Sequence, residues 1–112
     1  MTDRELLENA AKAAGMNTRY YHFEFTGEWG MIDDDPDGIL WNPLVDDAHA
    51  LRLAVKIGLR DYFGVEIQKT CVQATCFEPW EHCQYEEHNN DPYAATRRAV
   101  VRAAAEIGRA ME

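Results

Sequence analysis

Apolar and polar positions fall into three helical blocks separated by shorter strand-like ones. In residues 3–14, Leu6, Leu7, Ala10, Ala11, Ala13 and Ala14 recur at helical spacing and lay an apolar stripe on one face. Thr2 and Glu5 form a T-x-x-E capping box ahead of this block, and Gly15 follows it as a stop. Residues 19–25 predict an aromatic strand, with Tyr21, Phe23 and Phe25 on one face and Tyr20, His22 and Glu24 on the other. Residues 27–38 break that pattern and end in Asp-Pro-Asp-Gly turn chemistry, and a short strand is expected at 39–41. A second helix is predicted over 47–59, capped by Asp46 or Asp47, with Leu51, Ala54, Val55, Gly58 and Leu59 as its core face.

Residues 65–76 contain no Gly or Pro and read as one strand. Its apolar set changes parity near Thr70, which points to a bulge or to two shorter strands. A weak edge strand is expected at 80–87. The last helix is the clearest: Asp91 caps it and Pro92 takes the first position, where a missing N–H costs nothing. Val100, Ala103, Ala104, Ile107 and Met111 make its core stripe, and Arg98, Arg102, Glu106 and Arg109 its wet side, with Arg102 and Glu106 as an i,i+4 pair. The order α-β-β-α-β-β-α predicts one α+β domain, a sandwich in which three helices cover a central antiparallel or mixed sheet of about four strands.

Composition narrows the function. A chain of 112 residues, 46 % hydrophobic and 28 % charged, suits one folded domain. No apolar run is long enough to cross a membrane, and acids stand where a signal peptide needs an apolar core, so a cytoplasmic protein is expected. The net charge of −9 argues against direct nucleic-acid binding. The acid is unevenly spread: residues 1–90 hold 17 acids and 7 bases, and no base lies between Arg19 and Arg52. That base-free stretch includes Asp33, Asp34, Asp35 and Asp37, which form either a solvated turn or an acidic face for a basic partner.

Candidate chemistry is sparse. Asp33, Asp35, Asp37 and Gly38 begin like a calcium loop, but Leu44 occupies the place of the bidentate Glu, so an acidic turn is the better reading. Cys71, Cys76, His82, Cys83 and His88 are five soft ligands within 18 residues, without the two-residue spacing of common zinc sites. On a regular strand Cys71 and Cys76 would face opposite ways. A zinc module built on Cys71, Cys76, Cys83 and His88 is thus an alternative, and no metal or cofactor is the leading expectation. The odd count of 3 Cys also fits reduced thiols. His22, Glu24, Asp37 and His49 offer acid–base groups in no recognisable catalytic spacing. Trp29, Trp41 and Trp80 flank acidic segments and serve either as core anchors or as a binding surface.

Two stretches carry a resemblance. Trp41-Asn42-Pro43-Leu44-Val45-Asp46-Asp47, running on through Ala50–Lys56, and Asp91-Pro92-Tyr93-Ala94-Ala95-Thr96-Arg97-Arg98, running on to Ala104, are similar to small proteins of tailed phages and prophages grouped as a phage α-β-α sandwich domain. The resemblance implies that fold and a phage or prophage origin, and no defined reaction. In the W-N-P-L-x-D-D segment, Trp41 is expected to pack over the helix that the aspartates cap, and Arg97 to reach back to one of them. The expected function is that of a non-enzymatic accessory protein that binds a protein partner with a basic surface, for example to inhibit a host defence system. Asp33, Asp34, Asp35, Asp37, Trp29 and Trp41 are its candidate binding residues.

Overall fold

The computed structural model describes residues 1–33, 40–60, 62–77 and 80–111. Among them the order is α1 (Asp3–Ala13), β1 (Thr18–His22), β2 (Trp29–Asp33), β3 (Leu40–Trp41), α2 (Asp47–Gly58), β4 (Phe63–Ile67), β5 (Cys71–Cys76), β6 (His82–Glu87) and α3 (Pro92–Ala110). The α+β class holds, but a single central sheet does not. Two antiparallel three-stranded sheets form instead, ordered β1-β2-β3 and β4-β5-β6. Each is made of chain neighbours, and α2 separates them in sequence.

Helix α3 takes the central place that the expected sheet was to fill. Ala95, Ala99 and Ala103 pack against Val72 and Ala74 of β5, with Phe63 of β4 beside them. Val100, Val101, Ala104, Ala105 and Ile107 instead join the main core with Leu6, Leu7 and Ala10 of α1 and Leu53 and Ile57 of α2. Met31 and Trp41 bring the first sheet to the same core. α1 and α3 run parallel, since Asp3 meets Arg98 at 3.1 Å near their starts and Lys12 donates to the Met111 carbonyl at 2.6 Å near their ends.

The helix starts follow the sequence. Thr2 Oγ1 accepts from the Glu5 amide at 3.1 Å, and the Glu5 carboxylate accepts from the Thr2 amide at 3.2 Å. Asp46 caps α2 and Asp91 caps α3 through amides three residues on, both at 3.0 Å. At the other end of α1, the Arg60 guanidinium donates to the Ala13 carbonyl.

The structure changes several of the expectations. The strand expected at 19–25 ends at His22, and β2, which was read as turn, pairs with all of β1. Of the readings open for 65–76, two shorter strands hold: β4 and β5 form a hairpin, and the parity change near Thr70 marks its turn, closed by the Gln68 amide on the Cys71 carbonyl at 2.8 Å. Arg102 pairs with Glu86 at 3.4 Å rather than with Glu106, which Arg109 takes at 2.6 Å. The core face of α2 is also rotated. Ala50, Leu53 and Ile57 are buried, whereas Leu51, Val55 and Leu59 are 67, 52 and 85 % exposed. The sequence carries apolar stripes on both sides of this helix, and the periodicity alone does not say which one meets the core. Met111, placed in the α3 stripe, is likewise 40 % exposed, because α3 ends just before it.

The α1–α3 contact is unusually close at Gly108, where a Cβ would overlap the backbone carbonyl of Asn9. In an ordinary helix interior, Gly→Ala is stabilising by about 1 kcal/mol. Here the methyl must push the two helices apart, so Gly108→Ala is expected to destabilise by about 1–3 kcal/mol in urea unfolding. A variant more stable than the parent would show that the helices are free to separate.

Candidate functional site

The W-N-P-L-x-D-D segment is the junction on which the candidate site is built. Asn42 is buried, 2 % exposed, and its hydrogen-bonding groups are used. Its side-chain Nδ2 donates to the Trp29 carbonyl at 2.8 Å, and its Oδ1 accepts from the Leu44 amide at 3.1 Å. Its own carbonyl accepts from the Val45 and Asp46 amides at 3.2 and 3.0 Å. Its amide donates to His49 Nδ1 at 2.9 Å, which requires the His49 proton to sit on Nε2. Asp46 Oδ1 accepts from the His49 amide, and this bond holds the Asp46 carboxyl below the usual carboxylate range. Arg97 closes the junction from α3. Its Nε donates to the Leu44 carbonyl at 2.9 Å and its Nη1 meets Asp47 at 2.6 Å, so it does reach the aspartate pair.

Trp41 lies in this junction, buried against the core. It is paired with Met31 across β2 and β3. Its ring therefore belongs to packing, which corrects its place among the binding residues. Gly30 allows the strands to approach, since a Cβ there would stand 2.8 Å from the Trp41 carbonyl oxygen.

In front of the junction, the β1–β2 hairpin projects into solvent. The Phe23 amide donates to the Glu28 carbonyl at 2.7 Å and the Gly27 amide to the Phe23 carbonyl at 2.8 Å, which closes a short turn. Phe25 sits in that turn and is 105 % exposed. The rings of Tyr21 and Phe23 meet at 52° with centroids 4.6 Å apart, and both are exposed. Between hairpin and junction lies a cleft of about 500 Å³ whose walls include Glu28, Trp29, Val45, Asp46 and His49. Trp29 thus keeps its place as a candidate binding residue. The exposed Glu24, with Glu28 and Asp46, makes this side of the protein acidic. Sequence reading put Phe25 on a strand face. The Thr26-Gly27 pair after it was the signal for a turn instead.

Asp34, Asp35 and Asp37 lie outside the described residues, as do the calcium-like loop they belong to and the side chain of Asp33; the Asp33 backbone ends β2. Trp80 is exposed, with its ring 5.5 Å from that of His82. His22 and Glu24 stand on the exposed hairpin, away from the buried junction that holds His49 Nδ1.

The Cys and His residues are not brought together. Cys76 pairs across the ladder with His82, and Cys83 with Thr75, while Cys71 pairs with Glu87. Cys76 and His82 therefore face α3, and Cys71 and Cys83 face the opposite side. Among the described residues, no group of three or more metal-ligating side chains forms. Cys71 instead bonds Gln68 at 3.2 Å and, through a bond with Tyr85, raises that phenol above its ordinary value. Both ring nitrogens of His82 are buried without a partner among the described residues. Burial pushes the His82 imidazole below its ordinary value of 6.5, and the nearby Glu106 carboxylate only partly opposes this.

No family model, curated protein or solved structure matches the chain.

Two outcomes follow from this geometry. Asn42→Ala strips the Leu44 amide and the Trp29 carbonyl of their partners inside the core. It should cost about 2–4 kcal/mol in urea unfolding, and a loss under about 0.5 kcal/mol would remove Asn42 from the framework. His82 gives a pH dependence. The folded state resists its protonation, so the unfolded state binds the proton more readily. Stability is complete above the unfolded value near 6.5 and falls as pH drops below it. Melting temperatures at pH 7.5 and 5.5 should therefore differ more for the parent than for His82→Gln, and equal differences would contradict the assignment.

Proposed function

We propose that the chain is a small non-enzymatic binding protein that engages a protein partner through the 23–28 hairpin and the cleft behind it. The observation that carries this is the fully exposed Phe25 on the hairpin that also carries the exposed ring pair of Tyr21 and Phe23. An unpacked aromatic gives nothing to the fold, and aromatics on a rigid support are the residues that dominate binding surfaces. The surrounding Glu24, Glu28 and Asp46 favour a basic partner surface, and they oppose a phosphate backbone.

The resemblance to small phage proteins supports a phage or prophage origin and action in the bacterial cytoplasm. Among the described residues no helix is long and apolar enough to cross a membrane. A host defence protein that holds nucleic acid in a basic cleft has the surface this reading calls for, and its inhibition is one concrete form of the function. The zinc alternative is weakened by the strand register, which divides Cys71 and Cys83 from Cys76.

The test places a photo-crosslinking phenylalanine analogue at position 25 and exposes the protein to bacterial lysate. A defined partner should crosslink, and its capture should weaken in Glu24→Gln/Glu28→Gln and at high salt. In an affinity pull-down of the same partner without the analogue, Phe25→Ala should abolish capture while moving stability by no more than about 0.5 kcal/mol, as for other exposed sites. Capture that survives Phe25→Ala in a folded variant would refute the hairpin reading.

A further inference from the structure

We infer that two copies of the chain pair through their β4 strands. β4 is the edge of the second sheet, hydrogen-bonded only to β5 within it, and four of its five residues are exposed. The Gln68 amide donates to the Cys71 carbonyl, and the Phe77 amide to the Tyr62 carbonyl. In an antiparallel ladder, this sets the phase: even positions of β4 direct their backbone groups to β5. The N–H and C=O groups of Phe63, Val65 and Ile67 therefore point to the open edge.

The side chains of the same three residues lie on the sheet face that carries Val72 and Ala74, yet α3 leaves the outer ones bare. Val65 is 38 % and Ile67 66 % exposed. Next to them, α2 and α3 enclose an open apolar groove of about 630 Å³ with Leu51, Ala54, Tyr93 and Val100 on its walls. This is the place where the outward stripe of α2 meets the bare strand.

A second copy fits this edge better than an arbitrary strand does, because the edge is self-complementary. A twofold axis through Val65 sets Val65 opposite Val65 of the second copy, and Phe63 opposite its Ile67. All the facing odd residues then exchange N–H···O bonds, and their apolar side chains form one continuous face. Glu66 meets Gly64 of the second copy, so no like charges stand opposite each other. Charge allows the approach. Residues 47–69 hold four bases, Arg52, Lys56, Arg60 and Lys69, against three acids, Asp47, Asp61 and Glu66, in a chain of net charge −9. The other edge of this sheet is guarded. β6 carries Glu86 and Glu87, and Arg102 on α3 already donates to the Tyr85 carbonyl at 3.1 Å. Acidic side chains and a capped carbonyl are the usual protections of an edge strand, and β4 has only Glu66 in their place.

The dimer edge and the aromatic hairpin lie on different sheets, so either can fail without the other. The test is sedimentation of the whole chain under reducing conditions across a wide concentration range, with amide hydrogen exchange at both ends of it. We expect a concentration-dependent species of twice 12.8 kDa, in which the amides of Phe63, Val65 and Ile67 become protected. Val65→Pro removes an edge N–H that the β4–β5 ladder does not use, and should raise the dimer dissociation constant about 30-fold or more. Ile67→Arg should do the same by side-chain charge, and it answers alone if the proline variant fails to fold. A monomer at every concentration would overturn the inference. So would a dimer that survives Ile67→Arg, or one that leaves the three amides unprotected. Protection of those amides only when another protein is added would assign the edge to a different partner.

Discussion

The close parallel contact between α1 and α3 is the constraint on which the other packing depends. Small residues line it on both sides: Ala10, Ala11 and Ala13 on α1, and Ala104, Ala105 and Gly108 on α3. Each buried methyl contributes only about 1 kcal/mol of transfer free energy, so such an interface gains from proximity and from the number of contacts. Its closeness leaves α3 narrow enough to be packed on two sides. One side takes α1 and α2, and the other takes β5 through Ala95, Ala99 and Ala103. Two small sheets around a helix follow from that geometry, where a large central sheet would have needed helices with one polar face each.

The second fixed point is polar. Asn42 ties the first sheet to the start of α2, and Arg97 ties the same segment to α3. A buried amide is tolerated only when its donors and acceptors are satisfied, and the cost of leaving them unmade enforces one arrangement of the segment. The Trp29 carbonyl is one of those partners, so the base of the β1–β2 hairpin is held by the same side chain that shapes the cleft floor. The exposed tip at Phe25 therefore stands on a rigid support.

What the sequence made legible was mostly local. The caps at Thr2, Asp46 and Asp91 have short-range chemistry, and each forms as expected. The Arg97–Asp47 contact was also readable, because two segments of one resemblance carried complementary charges. Long-range choices were not. α2 has an apolar stripe at Leu51, Val55 and Leu59 as strong as the one at Ala50, Leu53 and Ile57, and only the position of α3 decides between them. Alanines in α3 fit one buried face as well as two, so its central place was hidden. β2 was lost because Gly30 and its neighbours Asp33 and Asp34 look like turn residues, although Gly30 is there for strand approach.

The same ambiguity bears on function. A helix with two apolar stripes must leave one in water or cover it with something else, and in this fold the uncovered stripe lies next to the bare β4 edge. Charge separates that region from the hairpin. Bases gather on α2, while Glu24, Glu28 and Asp46 surround the aromatic tip. Screening acts oppositely on the two. Salt within a Debye length of about 8 Å weakens the attraction of the acidic hairpin to a basic surface. It also relieves the mutual repulsion of two chains of net charge −9, which favours the apolar pairing of β4. The proposed partner binding and the inferred self-association would thus be driven by different forces on different sheets, and ionic strength alone can tell them apart.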